Sequence, residues 1–390
     1  MAVLLEERIE HNLSWMREFI QRYQLKLAPH GKTTMSPELY KMQLEFGAWG
    51  ITLATAPQVN AAFKHGVRKV IMANQLIGKG NMAIIAGLLR EDPDFEFSCV
   101  VDSADNVDAL GHYFASQQLT LRMMFEYGIQ GGRTGIRTAE QEAEVLAAVK
   151  RWPQSLALIG VELYEGVSND EAAIRAFLRH VVARTEALAQ AGEFAEQQVI
   201  LTGAGSAWFD VVAEELTRES RYLDSDKRYQ LDVILRSGCY VTHDVGAYQA
   251  ALERMQTSNP VAREMNSSLQ PALQVWAAVQ SLPEPGRAII AFGKRDAGYD
   301  AGYPKAAGHF RPRSATQSGY TTVVPAPEDW KVYAMMDQHA FMSIPENADL
   351  KVGDMLVFDI CHPCLTFDKW RQLLLVNEQW DVTGAVTTWF

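Results

Sequence analysis

The chain has 390 residues, 48% of them hydrophobic and 21% charged, enough apolar material for one large core and a second domain. Lys and Arg number 36 against 47 Asp and Glu, a formal charge of −11 that weighs against nucleic acid or an anionic membrane as partner and leaves room only for a local basic pocket. No apolar run approaches membrane-span length, and Glu6, Glu7 and Glu10 stand where a secretion signal is basic and apolar. With only four cysteines (Cys99, Cys239, Cys361, Cys364), a disulfide scaffold is excluded, and the expectation is a reduced, cytoplasmic protein.

Residues 1–7 read as a strand, and a helix beginning near Glu7 places Ile9, Leu13, Met16 and Ile20 on one face. Eight short apolar runs follow, at 25–28, 50–55, 69–75, 97–102, 120–127, 156–164, 198–202 and 231–235. Most are continuous rather than alternating, as parallel strands covered on both faces require. Helical signals fall between them: Ser36-Pro37 with Gly47 beyond, Pro57 with Gly66, a capping box from Thr138 to Gln141, and a long segment from Asn169 to Gly192. The expected class is α/β, with a (β/α)8 barrel over residues 8–250; an open doubly wound sheet is the competing architecture. Beyond it the runs 273–279, 287–291, 321–324, 332–336, 355–360, 372–376 and 382–387 are separated by Pro, Gly and Asp without amphipathic helices. They predict a mainly antiparallel β domain over 251–390, joined by residues 1–7.

Residues able to carry chemistry cluster at the ends of the expected strands. Lys32 follows the first run, where burial in a barrel mouth would favour the free amine as a nucleophile; a solvated or ion-paired lysine is the plainer alternative. Gly203-Ala204-Gly205-Ser206 and Ser237-Gly238-Cys239-Tyr240 follow the seventh and eighth runs, the usual place for a barrel phosphate site, although each is also an ordinary tight turn. Arg133 follows the fifth run and Tyr164 ends the sixth; a solvated arginine and a structural tyrosine are their default readings. Cys361-His362-Pro363-Cys364 lies late in the chain, away from any thioredoxin-like unit, so a redox pair is disfavoured. No second Cys/His cluster completes a structural zinc site, and an incomplete protein ligand set is what a catalytic metal uses. Asp244 and His339 are candidate polar neighbours, or simply satisfied polar groups.

Pro29-His30-Gly31-Lys32-Thr33, with Ser36-Pro37, Ala73-Asn74-Gln75 and the segments 132–135, 203–206 and 362–370, resembles the D-serine dehydratase and D-threonine aldolase family of fold-type III enzymes with an alanine racemase-like barrel. The spelling of residues 28–35 is similar to the bacterial amino-acid deaminase branch. The resemblance implies pyridoxal phosphate carried on Lys32 as a Schiff base, Arg133 near its phenolic oxygen and Tyr164 near its pyridine nitrogen. It places Gly203, Gly205, Ser206, Gly238, Cys239 and Tyr240 around the cofactor. It makes His362 and Cys364 ligands of a divalent metal, with zinc favoured by ligand softness and manganese or magnesium as alternatives. Related aldolases carry a carboxylate at the second ligand position, so Cys364 points to dehydration of D-3-hydroxy amino acids, with D-threonine-type aldol cleavage as the alternative. A racemase needs a second acid/base facing Lys32, which the sequence does not identify; a non-catalytic cofactor-binding barrel would lack the β domain and metal motif. A head-to-tail homodimer is implied, in which His362 and Cys364 reach the partner's active site.

Overall fold

The computed structural model describes residues 1–217, 222–312 and 322–390. Strand β1 (Ala2–Leu5) leads directly into helix α1 (Glu6–Arg22), whose Ile9, Leu13, Met16 and Ile20 are all buried. Buried Asn12 on the same helix donates to the carbonyls of Val241 and Gln270 at 3.1 and 2.8 Å, which anchors α1 to the chain beyond the barrel strands.

The eight apolar runs are eight parallel strands: β2 (Lys26–Leu27), β3 (Ile51–Leu53), β4 (Lys69–Gln75), β5 (Glu96–Val101), β6 (Leu121–Tyr127), β7 (Leu156–Leu163), β8 (Gln198–Gly203) and β9 (Gln230–Leu235). Their order is β2-β9-β8-β7-β6-β5-β4-β3. The ends join: Trp49 N–H donates to Leu27 O at 2.6 Å, Thr52 N–H donates to Pro29 O at 3.0 Å, and His30 bridges Thr52. The sheet is thus a closed ring, and the doubly wound alternative is set aside. Inside it Ala28, Ile71, Val100, Met124, Ile159, Ile200 and Ile234 form a separate buried cluster, the filled interior of a barrel. Each large side chain there contributes about 1.5–3 kcal/mol by leaving water.

Helices α2 (Pro37–Glu45), α3 (Ala56–Lys64), α4 (Lys79–Glu91), α5 (Ala104–Ser116), α6 (Ala139–Val149), α7 (Glu171–Gln190) and α8 (Phe209–Leu216) follow successive strands. The Thr138–Gln141 capping box forms as expected. Helix α7 starts one residue later than the sequence suggested, because Asp170 rather than Asn169 accepts from the amides of Ala172 and Ala173. No described helix is long and apolar enough to cross a membrane.

Two further helices, α9 (Ala247–Ser258) and α10 (Pro260–Glu264), lead to the antiparallel strands β10 (Leu273–Glu284), β11 (Arg287–Ile290), β12 (Lys305–Phe310), β13 (Val324–Pro325), β14 (Lys331–Met335), β15 (Ala340–Ser343) and β16 (Met355–Asp359). β10, β11, β15, β14, β12 and β16 pair in turn, and β16 returns to β10, so this ring also closes. β1 pairs antiparallel with β10 and parallel with β17 (Gln372–Val376), which pairs with β18 (Val382–Thr387). The sequence reading missed β12 and β15. KAAGHF and AFMS lack the β-branched residues that mark a strand, and their pairing partners rather than their own propensity extend them. The start of the expected run 321–324 lies outside the described residues.

A buried ionic cluster ties the second ring together. Asp354 accepts from His309 Nε2 at 2.8 Å, Arg311 Nη2 at 2.9 Å and the Lys351 amide at 3.0 Å. Burial pushes its carboxyl up, but the bonds from Arg311 and His309 outweigh that and hold it below the ordinary aspartate range. Asp354→Ala leaves Arg311 with one carboxylate fewer in a buried site, and should lower stability at pH 7 by about 3 kcal/mol. A depressed carboxyl stabilises above its unfolded value, near ~3.9, and stops doing so as pH falls through the lower folded value. Urea titrations at pH 7 and in acid should therefore show the gap between wild type and variant closing in acid.

Candidate active site

A cavity of about 300 Å³ lies between the C-terminal ends of the barrel strands and the segment that follows β16. Lys32, Arg133, Tyr164, Gly205, Ser206, Gly238, Cys239, His362 and Cys364 all line it. Residues of the barrel and of the segment after β16, His362 and Cys364 among them, thus line one cavity within one chain. Gly203 and Tyr240 do not line the cavity. A Cβ on Gly203 would sit 2.8 Å from Leu163, so that glycine answers to packing, and Tyr240 is buried beside Gln43.

Lys32 occupies a single 3-10 turn, Gly31–Thr33, just past β2. The turn is pinned on both sides: His30 N–H donates to Arg236 O at 2.9 Å, and Tyr40 Oη donates to Gly31 O at 2.8 Å. Only glycine fits at 31, since a Cβ there would meet the Tyr40 ring at 2.6 Å. Lys32 itself is exposed to the cavity, not buried as the strand-end position suggested. A lysine past the strand on a helical turn leans over the mouth, whereas one on the strand would point into the barrel.

Arg236 is the residue that sequence reading passed over. Almost fully buried at the end of β9, it donates from Nη2 to Glu162 and, at 2.8 Å, to Leu163 O, while also lining the cavity. Its one legible sign is an arginine closing an apolar strand. Burial pushes the Glu162 carboxyl up, against the pull of Arg236. Glu126 lies nearby, bonded by Gln75 and Thr134, and burial raises its carboxyl as well. Arg133 is exposed and stacks over the Tyr164 ring, 5.0 Å from its centroid.

The glycine turns behave differently from the phosphate cradle expected. The amides of Ala204 and Gly205 donate to the Glu165 carboxylate at 3.2 and 2.7 Å, so an internal anion already takes them. Gly238 is required because a Cβ there would lie 2.3 Å from His30 O. The Ser206 hydroxyl, whose oxygen accepts from Cys239 N–H at 3.2 Å, also lines the cavity, beside Lys32, Arg133 and Arg236. Ala204 adopts φ +78°, a strained conformation for a residue with a side chain, and it too lines the cavity.

On the far wall, His362 Nδ1 bonds Asp300 at 2.8 Å. Against the upward push of partial burial, that bond holds the Asp300 carboxyl low. Asp300 has no local sequence signal, being 62 residues from His362. Cys364, at the start of helix α11 (Cys364–Phe367), has its sulfur 3.4 Å from Thr33 Oγ1 and 3.6 Å from Cys239 Sγ. A bond joins the two thiols, with either as donor; it draws the Cys364 thiol down and, with burial, drives Cys239 up. Cys361 donates instead to Tyr303 O at 3.2 Å. Asp244 is buried and accepts from three amides at the start of α9, and His339 stands exposed in the β14–β15 turn, outside the cavity. Among the described residues no three His, Cys, Asp or Glu side chains converge on one metal position.

A filled parallel barrel with a lysine turn after its first strand, followed by a closed antiparallel ring, defines the alanine racemase-like class. Residues 6–215 match the alanine racemase N-terminal domain, and residues 272–376 match the putative serine dehydratase domain. The chain belongs to the D-serine dehydratase and D-threonine aldolase family. D-threonine aldolase from Arthrobacter sp. is 25% identical over 303 residues, 76% of this chain and 71% of that protein. Among solved structures, D-threonine aldolase from Filomicrobium marinum superposes with a TM-score of 0.78 at 18% identity, covering 100% of this chain and 94% of that one. D-threo-3-hydroxyaspartate dehydratase from Delftia sp. HT23 gives 0.73 at 18% identity over 100% and 96%. Alanine racemase from Bacillus anthracis gives 0.62 at 13% identity over 99% and 97%. At such identities the structural likeness shows the fold.

The acid cluster sets a pH dependence. A carboxyl raised on folding costs stability as pH climbs from its unfolded value, near ~4.3, to its folded one, about 1.4 kcal/mol for each unit of displacement. Glu162→Gln removes one such group while keeping a side-chain oxygen as acceptor for Arg236. Its melting temperature should therefore vary less than that of wild type between pH 5 and 8, as scanning calorimetry would register.

Proposed function

We propose that this protein is a pyridoxal-phosphate- and divalent-metal-dependent dehydratase that deaminates D-3-hydroxy amino acids such as D-serine or D-threonine, giving a 2-oxo acid and ammonia. The observation that carries this reading is the shared cavity: the Lys32 amine and the metal-type donors His362 and Cys364 line one space. The reaction needs both, a base at Cα and a Lewis acid at the β-hydroxyl.

The residues present fit the cofactor. A lysine, two arginines and the Ser206 hydroxyl surround the cavity in a chain whose net charge is −11. Nδ1 of His30 and Nε of Arg236 are buried without a protein hydrogen-bond partner, as groups awaiting a polar occupant would be. Toward a metal they offer two donors that line the same cavity, His362 and Cys364. Asp300 fixes the tautomer of His362 and leaves Nε2 as the donor, the carboxylate–histidine arrangement typical of ligating imidazoles.

Bound pyridoxal phosphate supplies an electron sink for charge at Cα, and a bound divalent ion supplies Lewis acidity at the leaving oxygen. Lys32, on its pinned turn, is the group placed to move the Cα proton. Arg133 and Arg236 hold negative charge at the mouth, and Ser206 adds a neutral donor. Loss of water across Cα–Cβ leaves an enamine, which hydrolyses to the 2-oxo acid and ammonia. Cys364 at the second ligand position supports dehydration; the 25% identical D-threonine aldolase supports the second reading, cleavage to glycine and an aldehyde.

Incubation of the purified protein with D-serine and D-threonine, with and without chelator, separates the two. Ammonia and 2-oxo acid are expected; glycine and aldehyde would establish aldol cleavage instead. Chelation or Cys364→Ala should cut the dehydration rate by about 100-fold or more, since ~2.7 kcal/mol of lost charge stabilisation suffices. Cofactor content should be unchanged by either. Borohydride treatment of wild type should fix the cofactor to the peptide containing Lys32, and Lys32→Ala should carry no such label.

A further inference from the structure

We propose that Glu38, Thr387 and Trp389 are positioning residues. Together they clamp the β17–β18 hairpin to the barrel and fix the spacing between Lys32 and the wall that carries His362 and Cys364. The inference deepens the functional reading above and rests on it for the roles of those three groups. None of the clamp residues lines the cavity.

The two halves of the site come from distant parts of the chain and need a tie. β18 is the outer strand of the hairpin, which joins the second ring's sheet through β1. Its free edge meets the start of α2, just past the Lys32 turn. Thr387 donates to both oxygens of the Glu38 carboxylate, from Oγ1 at 2.9 Å and from its amide at 3.2 Å. Two residues on, Trp389 N–H donates to Met35 O at 2.9 Å, and its ring packs on His65, centroids 4.5 Å apart. Thr388 faces the other way: its amide donates to Arg371 O at 3.1 Å and its hydroxyl donates to Trp370 O. Trp370 lies three residues past α11, the helix that Cys364 opens. Successive residues of an extended chain face opposite sides, so one short segment holds the barrel with 387 and 389 and the opposite wall with 388.

Two local observations mark these contacts as more than packing. Met35 adopts φ +43°, a strained conformation for a residue with a side chain, and its amide donates to Gly31 O at 2.9 Å in the Lys32 turn. Its carbonyl, held by Trp389, is where the clamp reaches that turn. Glu38 stands in the first turn of α2, where a carboxylate would serve the helix dipole from any rotamer. Here both its oxygens are committed to Thr387, and Ser36 Oγ adds a bond at 3.1 Å. Burial pushes the Glu38 carboxyl up, but its own amide and the hydroxyl and amide of Thr387 outweigh that and hold it low. The Lys32 turn keeps its separate bonds to Arg236 O and from Tyr40, so loss of the clamp leaves Lys32 in place and loosens the facing wall.

The test uses the holoprotein and the variants Glu38→Ala, Thr387→Val, Thr387→Ser and Trp389→Pro, the last lacking the donating amide. Phe390→Ala, at an exposed side chain outside the clamp, is the control. Dehydration of D-serine should fall about tenfold in kcat in Glu38→Ala and Trp389→Pro, with KM within about twofold, because a small misplacement of reacting groups costs rate. Thr387→Val should also lose rate, and Thr387→Ser should keep most of it. Exchange of the D-alanine α-proton in D2O uses Lys32 and the cofactor but offers no β-hydroxyl, so it should stay within about twofold of wild type. General loss of stability would not produce that split. Backbone hydrogen exchange across residues 361–370, followed by mass spectrometry, should quicken about threefold or more in Glu38→Ala and Trp389→Pro. Dehydration at the wild-type rate would overturn the inference, as would equal losses in the two reactions or unaltered hydrogen exchange. If the wild type instead yields glycine and an aldehyde, the cleavage rate is read in place of dehydration. A wild type that forms neither product set overturns the functional reading, and hydrogen exchange at 361–370 then decides the clamp.

Discussion

Arg236 is the joint on which the site depends. Its amide donates to Gly203 O at 3.0 Å, its carbonyl accepts from His30, and its guanidinium reaches Glu162 and Leu163 O. One residue thus ties the ends of β7, β8 and β9 to the turn that carries Lys32. β2 itself contributes only two residues to the ring, so the turn relies on this bond and on Tyr40, which donates to Gly31 O. The joint works only while the charge is balanced. A buried guanidinium without a carboxylate is costly, so Glu162 is as much a part of the barrel's closure as any hydrogen bond between strands.

The same balance explains how an acidic chain builds a basic cavity. Glu126, Glu162 and Glu165 are buried beneath its floor, each engaged by side chains or amides. They fix the loops that present Arg133 and Ser206 and leave the cationic groups facing the space above. Glu165 shows the cost of this arrangement: it takes the amides of Ala204 and Gly205, which are then not available to an anion.

Much of the barrel is legible in sequence because a parallel strand buried on both faces needs a largely unbroken apolar run, and most of the eight are such runs. The helix start at Thr138 is legible for a local reason, a side chain capping its own helix. β12 and β15 are not, since neighbours rather than composition make them strands. In the site, Lys32, Arg133 and Cys364 stand out through motif and position. Gly203, Gly205 and Gly238 also stood out, but steric need beside Leu163, Tyr164 and His30 accounts for them without any phosphate. Arg236, Asp300 and the Cys239–Cys364 contact were hidden because each is defined by a partner 62 or more residues away. No local pattern encodes such pairings.

The placement of β1 has a consequence for how the chain is made. Ala2, Val3 and Leu4 find their partners at residues 273–275, and Val3, Leu4 and Leu5 find theirs at 374–376. Closing a segment of ~270 residues costs on the order of 5 kcal/mol in chain entropy before any contact repays it. On the ribosome, the first strand emerges early with both hydrogen-bonding edges bare and waits while the parallel barrel assembles behind it. Until the last antiparallel strands arrive, Ala2-Val3-Leu4-Leu5 is an apolar edge of the kind that chaperones and aggregation nuclei recognise. A polypeptide cut short anywhere ahead of residue 372 exposes that edge permanently. The pairing of residues 2–5 thereby depends on the synthesis of residues 374–376.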